Sequence, residues 1–229
     1  MASASSVPTA QIHCKGVLFD MDGILVSSLG SVERSWSKWA TLRSVDPELT
    51  CKTAHGRRAI ETIGIMRPDL DSERELKVIE DIEVEDNEGL TVLPGVLTLL
   101  EALPEDRWTV VTSATERLAR IRMSVGGVPV PCKLVTADFV TRGKPHPEPF
   151  LAGAALLGFG PQECVVFEDS ASGAQAGRAA GCTVVATTFS HPAESLDAAH
   201  YLIEDLTGMS IRALPDTEGL LLSFTPLAD

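Results

Sequence analysis

The run Val17-Leu18-Phe19, followed at once by Asp20-Met21-Asp22-Gly23, constrains this chain more than any other stretch. Three large apolar residues in succession predict a strand buried on both faces, the kind that parallel sheets contain. Gly23 marks the turn that redirects the backbone where the strand ends. Two carboxylates then stand at the carboxyl end of a parallel strand, where open α/β sheets bind ligands. If strand geometry persists through Asp20, Asp20 and Asp22 point into one crevice. A solvated Asp-Gly loop would also accommodate these residues, so the rest of the chain has to decide.

Beyond Asp22 the pattern is helical for a long way. Val32, Trp36, Trp39 and Ala40 recur at helical spacing over Leu29 to Leu42, with Glu33, Arg34 and Lys38 between them. Asp46-Pro47 reads as an N-cap and first-turn proline. His55-Gly56-Arg57-Arg58 interrupts the helical pattern, Ala59 to Ile65 resumes it, and the acidic segment Ser72 to Asn87 keeps an apolar stripe. An excursion of this length is too large for a simple crossover. The expectation is a helical cap over residues 27–90, inserted after the first strand of an α/β core formed by residues 15–26 and 91–229, with residues 1–14 a flexible tail. From Val92 onward strands and helices alternate, with strands expected at Trp108–Val111, Leu134–Thr136, Cys164–Phe167, Thr183–Ala186 and Tyr201–Ile203. That alternation predicts a doubly wound, mainly parallel sheet with helices on both faces.

Composition narrows the partners. A net charge of −13 would repel nucleic acid and anionic membrane surfaces. No apolar run reaches the ~20 residues that a membrane span needs. The small, polar start has neither the basic nor the apolar region of a secretory signal. Five scattered cysteines without a Cys-x-x-Cys pair suit free thiols in a reducing cytosol. The expectation is a cytoplasmic monomer acting on a small molecule.

Four polar clusters follow four expected strands: Asp20/Asp22, Thr112/Ser113, Lys144, and Glu168/Asp169. Together they suit phosphoryl transfer through an aspartyl-phosphate. A carboxylate is a competent nucleophile toward phosphorus, provided that its repulsion from the phosphate dianion is offset. Mg²⁺, a hard cation that prefers oxygen ligands, would offset it from Asp20, Asp169 with its neighbour Glu168, and a backbone carbonyl. Lys144 adds positive charge, Thr112 and Ser113 can hold phosphoryl oxygens, and Asp22 is available as acid and then base. A receiver-type signalling module uses similar groups. It would, however, carry its phosphorylated Asp on a later strand and fit about half this length.

The four ordered motifs, Asp20-Met21-Asp22-Gly23, Thr112-Ser113, Lys144 within Gly-Lys-Pro-His-Pro-Glu-Pro-Phe, and Phe-Glu168-Asp169-Ser, resemble the haloacid dehalogenase-like superfamily over about residues 15–210. The resemblance implies a Rossmann-like core, Asp20 as nucleophile, and Asp22 as acid/base that also ligates Mg²⁺ through its backbone carbonyl. A helical insert after the first motif is similar to the subgroup that includes β-phosphoglucomutase and many sugar phosphatases. Gly143–Phe150, the stretch Phe-Glu-Asp-Ser-Ala-Ser-Gly, Ala-Thr-Thr-Phe at 186–189 and His55-Gly56-x-Arg58 resemble glycerol-phosphate and 2-deoxyglucose-6-phosphate phosphatases. The implied activity is Mg²⁺-dependent hydrolysis of a small phosphorylated sugar or polyol, with His55 and Arg58 contacting substrate. A β-phosphoglucomutase-type phosphomutase is the alternative, since both share the first half-reaction.

Overall fold

The computed structural model describes residues 9–214 and 219–228, opening with β1 (Ala10–Cys14) and β2 (Gly16–Phe19). Val17, Leu18 and Phe19 are fully buried in β2, as a strand covered on both faces requires. At the ends of the first insert, β3 (Val26–Ser27) and β4 (Thr91–Val92) pair antiparallel. Next come β5 (Trp108–Val110), β6 (Cys164–Glu168), β7 (Thr183–Thr187) and β8 (Tyr201–Ile203). With β2 they form a five-stranded parallel sheet in the order β5-β2-β6-β7-β8.

Alternate residues of each strand enter opposite cores. Val17, Phe19, Val165, Phe167 and Val185 join one apolar cluster, while Leu18, Val166 and Val184 join the other. Helices α1 (Leu29–Leu42), α2 (Pro47–Ala54), α3 (Ala59–Met66) and α4 (Ser72–Glu85) lie between β3 and β4. Helices α5 (Val96–Glu101) and α6 (Glu116–Gly126) cover the first face through Leu99, Leu100, Ala119 and Met123. Helices α7 (Glu148–Leu157) and α8 (Ala171–Ala180) cover the second through Phe150, Ala154, Ala174 and Ala176. The sheet is therefore doubly wound, as the alternating pattern predicts. Phe19 and Phe167 stack across adjacent strands at 5.1 Å, which fixes β2 against β6.

The inserted helices have a core of their own, made by Trp36, Trp39, Ala40, Ala54, Ile63, Ile79 and Ile82. Asp46 caps α2 by accepting from the Glu48 and Leu49 amides, and Asp71 caps α4 in the same way. Both chain crossings into this helical unit pass through the β3–β4 pair, side by side.

Two local expectations need correction, and one sheet was not expected. Residues 10–14, within the expected flexible tail, form β1; residues 1–8 lie outside the described residues. Leu134–Thr136 makes only a single bridge, Val111 to Val135, so no strand develops there. Finally, β9 (Ser210–Leu214) and β10 (Gly219–Phe224) join β1 in an antiparallel sheet ordered β1-β10-β9. Ile12, Cys14, Leu220, Leu222 and Phe224 bury its inner side. The two ends of the chain stabilise one another there, a pairing that no local pattern announces.

Candidate active site

Strand register builds the site. Phe19 lies level with Val110 on one side and Phe167 on the other. The residues that follow, Asp20, Val111-Thr112 and Glu168-Asp169, therefore reach the carboxyl edge of the sheet together. The Asp20 amide donates to the Phe167 carbonyl at 2.9 Å, which continues the ladder by one residue and holds Asp20 in place. Gly23 then turns the chain with φ of +79°, and a Cβ there would stand 1.8 Å from Asp169 Oδ2. Only glycine brings the first loop this close to the fourth cluster.

Lys144 is 2% exposed, and its ammonium reaches Glu168 Oε1 at 2.6 Å and Asp20 Oδ1 at 2.9 Å. A buried ammonium is tolerated only when it is paired. Burial works against its charge, but Asp20 and Glu168 outweigh burial and raise its pKa. Glu168 is the hub: its Oε2 accepts from the Asp169 amide, the Ser170 amide and the Ser170 hydroxyl, each at 2.9 Å. With one oxygen on Lys144 and the other on three donors, Glu168 positions its neighbours. Asp169 accepts from the Ser190 hydroxyl through Oδ2.

Asp20, Glu168 and Asp169 are all buried, with carboxylate oxygens within 4.8 Å of one another. Burial pushes the Asp20 carboxyl up to about 7, with Lys144 pulling against it and Glu168 adding to it. Burial, then Glu168 and Asp20, hold the Asp169 carboxyl well above its usual range. Three buried carboxyls facing one ammonium leave an excess of negative charge. A set of hard oxygen donors in that state fits a divalent cation of the Mg²⁺ type.

Thr112 is buried, and its hydroxyl accepts from the Ala114 amide at 3.1 Å. Thr115 takes the N-cap of α6, which frees Thr112 and Ser113 from that duty. Both line the crevice together with Asp20, Asp22 and Asp169. Asp22 is held by Ser28, whose hydroxyl donates to Oδ1 at 2.5 Å, and by Arg122, whose Nη1 donates to both carboxylate oxygens at 3.1 Å.

The helical unit closes the crevice from above through the loop between α2 and α3. Its Gly56 carbonyl accepts from Ser172 Oγ at 3.2 Å and Ser113 Oγ at 3.3 Å, both from the sheet side. Gly56 has φ of +71°, and a Cβ would stand 2.5 Å from Ser172 Oγ. His55 lines the crevice and faces His191 edge to face, with ring centroids 6.0 Å apart. Its Nε2 is buried without a partner, and burial together with His191 lowers its pKa.

Arg58 stands elsewhere than the sequence suggested. Its Nε and Nη2 donate to Glu61 Oε1 at 2.8 and 2.5 Å, and Nη1 donates to the Val140 carbonyl at 3.0 Å. It ties α3 to the loop that carries Lys144, while Arg57 lines the crevice in its stead. The motifs gave no sign of Ser28, Glu83, Arg122, Ser190 and His191, which also line the crevice. Arg122 offered only the weak signal of a charge on the apolar side of α6, beside Ala119 and Met123.

A family model described as haloacid dehalogenase-like hydrolase matches residues 14–181. Hexitol phosphatase A of Escherichia coli is 39% identical over 215 residues, covering 92% of this chain and all of that protein. Glycerol-1-phosphate phosphohydrolase 2 of Saccharomyces cerevisiae is 36% identical, covering 78% of this chain and 77% of the relative. Among solved structures, β-phosphoglucomutase from Clostridium difficile shares the fold with a TM-score of 0.73 at 20% identity, covering 84% of this chain and 92% of that one. With the match spanning most of the sheet and all four clusters, the chain belongs to the haloacid dehalogenase-like hydrolases.

Proposed function

We propose that the chain is a Mg²⁺-dependent phosphatase that hydrolyses a small phosphorylated sugar or polyol through an aspartyl-phosphate on Asp20. The observation that carries this reading is the pairing of Asp20 with buried Lys144 at 2.9 Å, inside a cluster of carboxylates at the carboxyl edge of the sheet. The activities for which the relatives are named, on hexitol and glycerol phosphates, support hydrolysis of phosphate monoesters of polyols. Asp20, Asp169 and the Asp22 carbonyl would hold the cation, with Glu168 fixing Asp169 and Lys144. Bound there, the cation offsets the charge of the phosphate dianion.

The chain's own groups then act in two steps. An Asp20 oxygen forms a bond to phosphorus while the bond to the substrate oxygen breaks, and the Asp22 carboxyl gives its proton to that leaving oxygen. Water next bonds to phosphorus, the Asp20–phosphorus bond breaks, and the Asp22 carboxylate takes the water proton. Lys144, Thr112 and Ser113 hold phosphoryl oxygens throughout. Residues 27–90 act as a cap that excludes bulk water and offers His55 to the rest of the substrate. Phosphate release from a panel of polyol, sugar and glycolate phosphates tests the proposal, with Mg²⁺ and with chelator. Release that requires Mg²⁺ and favours polyol or sugar phosphates is expected; equal release in chelator contradicts the metal assignment.

A further inference from the structure

Arg122 is a cation buried to 3% exposure outside all four motifs, and it spans the two halves of the molecule. It rises from α6 beneath the crevice. Its Nη1 meets both oxygens of Asp22 at 3.1 Å, and its Nη2 meets Glu83 Oε1, on α4 of the helical unit, at 3.0 Å. Burial opposes its charge, and the two carboxylates outweigh burial. Asp22 is gripped from the other side by Ser28, the residue preceding α1. Every side-chain contact described for Asp22 thus leads to the helical unit, directly through Ser28 or by way of Arg122 and Glu83.

We propose that Arg122 is a positioning residue for the acid/base Asp22, held in place by Glu83, so that proton transfer depends on α4 being docked over the crevice. The proposal rests on the phosphatase reading, because it gives Arg122 a purpose only if Asp22 moves protons. The rigid plane of the guanidinium divides its prongs between two carboxylates, Nη1 to Asp22 and Nη2 to Glu83, so the place of one acid sets the place of the other. Without it, the buried Glu83 carboxyl and the half-buried Asp22 carboxyl would face each other with no cation between them. Asp22 would then swing away from the line joining it to the leaving oxygen. A proton donor displaced in this way loses most effect on esters whose leaving oxygen is strongly basic. It loses little on esters whose leaving group departs as a stable anion.

The test compares phenyl phosphate, whose leaving oxygen has the basicity of a tyrosine phenol with a pKa of about 10, with p-nitrophenyl phosphate, whose leaving group is far less basic. Arg122→Met should lower kcat/KM for phenyl phosphate by about a hundredfold, the lower end of what a general acid contributes. The loss on p-nitrophenyl phosphate should be several-fold, so the ratio between the two esters rises at least tenfold. Arg122→Lys, which keeps charge without the fork, should restore part of the phenyl phosphate rate. Glu83→Gln should move the ratio in the same direction as Arg122→Met. The last two variants decide the matter if Arg122→Met does not fold. A ratio equal to that of the unaltered protein in both Arg122→Lys and Glu83→Gln would overturn the proposal and leave Arg122 a structural ion pair. Failure of the unaltered protein to hydrolyse either ester, or its indifference to Asp20→Asn, would instead strike the phosphatase reading.

Discussion

Asp20 and Asp169 carry the electrostatic tension of the molecule, since burial raises both carboxyls while the proposed chemistry needs at least Asp20 ionised. A carboxyl with a folded-state pKa above its unfolded value keeps more protons folded than unfolded between the two values. Stability therefore falls as pH rises from about 4 toward 7 and beyond. A cation held by the ionised pair would reverse that loss, because it would bind only the folded arrangement. In chelator, the protein is expected to melt at lower temperature at pH 8 than at about pH 5. Added Mg²⁺ should raise Tm strongly at pH 8 and little at pH 5. Equal Mg²⁺ effects at both pH values, read by calorimetry, would contradict the assignment of these carboxyls as its ligands. At this scale much of the site was legible in advance. Asp20, Asp22 and Asp169 come just after β2 and β6, and strand ends show in a sequence. Lys144 lies on a loop with no strand just before it and showed only through its Gly-Lys-Pro-His-Pro motif. Arg122, Glu83 and Ser190 were not legible, because their partners are 100, 39 and 21 residues away and no spacing rule links them.

At the scale of elements, the loop between α2 and α3 is the contact that matters most. The Gly56 carbonyl sits on Ser113 and Ser172, and His55 follows it into the crevice. Arg58, by contrast, holds α3 to the Lys144 loop through Glu61 and Val140. The two residues should therefore respond differently to substitution. His55→Ala is expected to raise KM for a polyol phosphate several-fold more than for p-nitrophenyl phosphate. Arg58→Ala should shift both esters by the same factor, through a less firmly seated helical unit. The opposite pattern in steady-state kinetics would exchange their roles. The helices of the insert were readable from apolar spacing and from the capping residue Asp46. The sheet formed by β1, β9 and β10 was not, since each strand is short and β10, the partner of β1, is far from it in sequence. Leu134–Thr136 misled because a short apolar run can be buried without pairing along its length.

For the whole molecule, the fate of the proposed aspartyl-phosphate divides a phosphatase from a mutase. A mutase keeps water away until a second hydroxyl arrives, whereas a phosphatase admits water promptly. Supplied with β-glucose 1-phosphate and a trace of the 1,6-bisphosphate, the protein should release inorganic phosphate or do nothing. Glucose 6-phosphate appearing faster than phosphate would establish the mutase. The doubly wound architecture serves either outcome, because it only gathers the four clusters at one edge. On the proposed mechanism, discrimination between the two would lie in the seating of the helical unit and the grip on Asp22.

If phosphate passes through Asp20, it can be trapped there. Asp22→Ala keeps the nucleophile and removes the group that activates water, so the second step should slow by about 10²–10⁴-fold. p-Nitrophenol leaves without help, so this variant should release one nitrophenolate per chain rapidly and then stall. Mass spectrometry of the acid-quenched protein should find one added phosphoryl group on the peptide that contains Asp20. The adduct should be absent when Asp20→Asn is combined with Asp22→Ala. An adduct on any other residue, or a stalled burst with no adduct at all, would contradict the account.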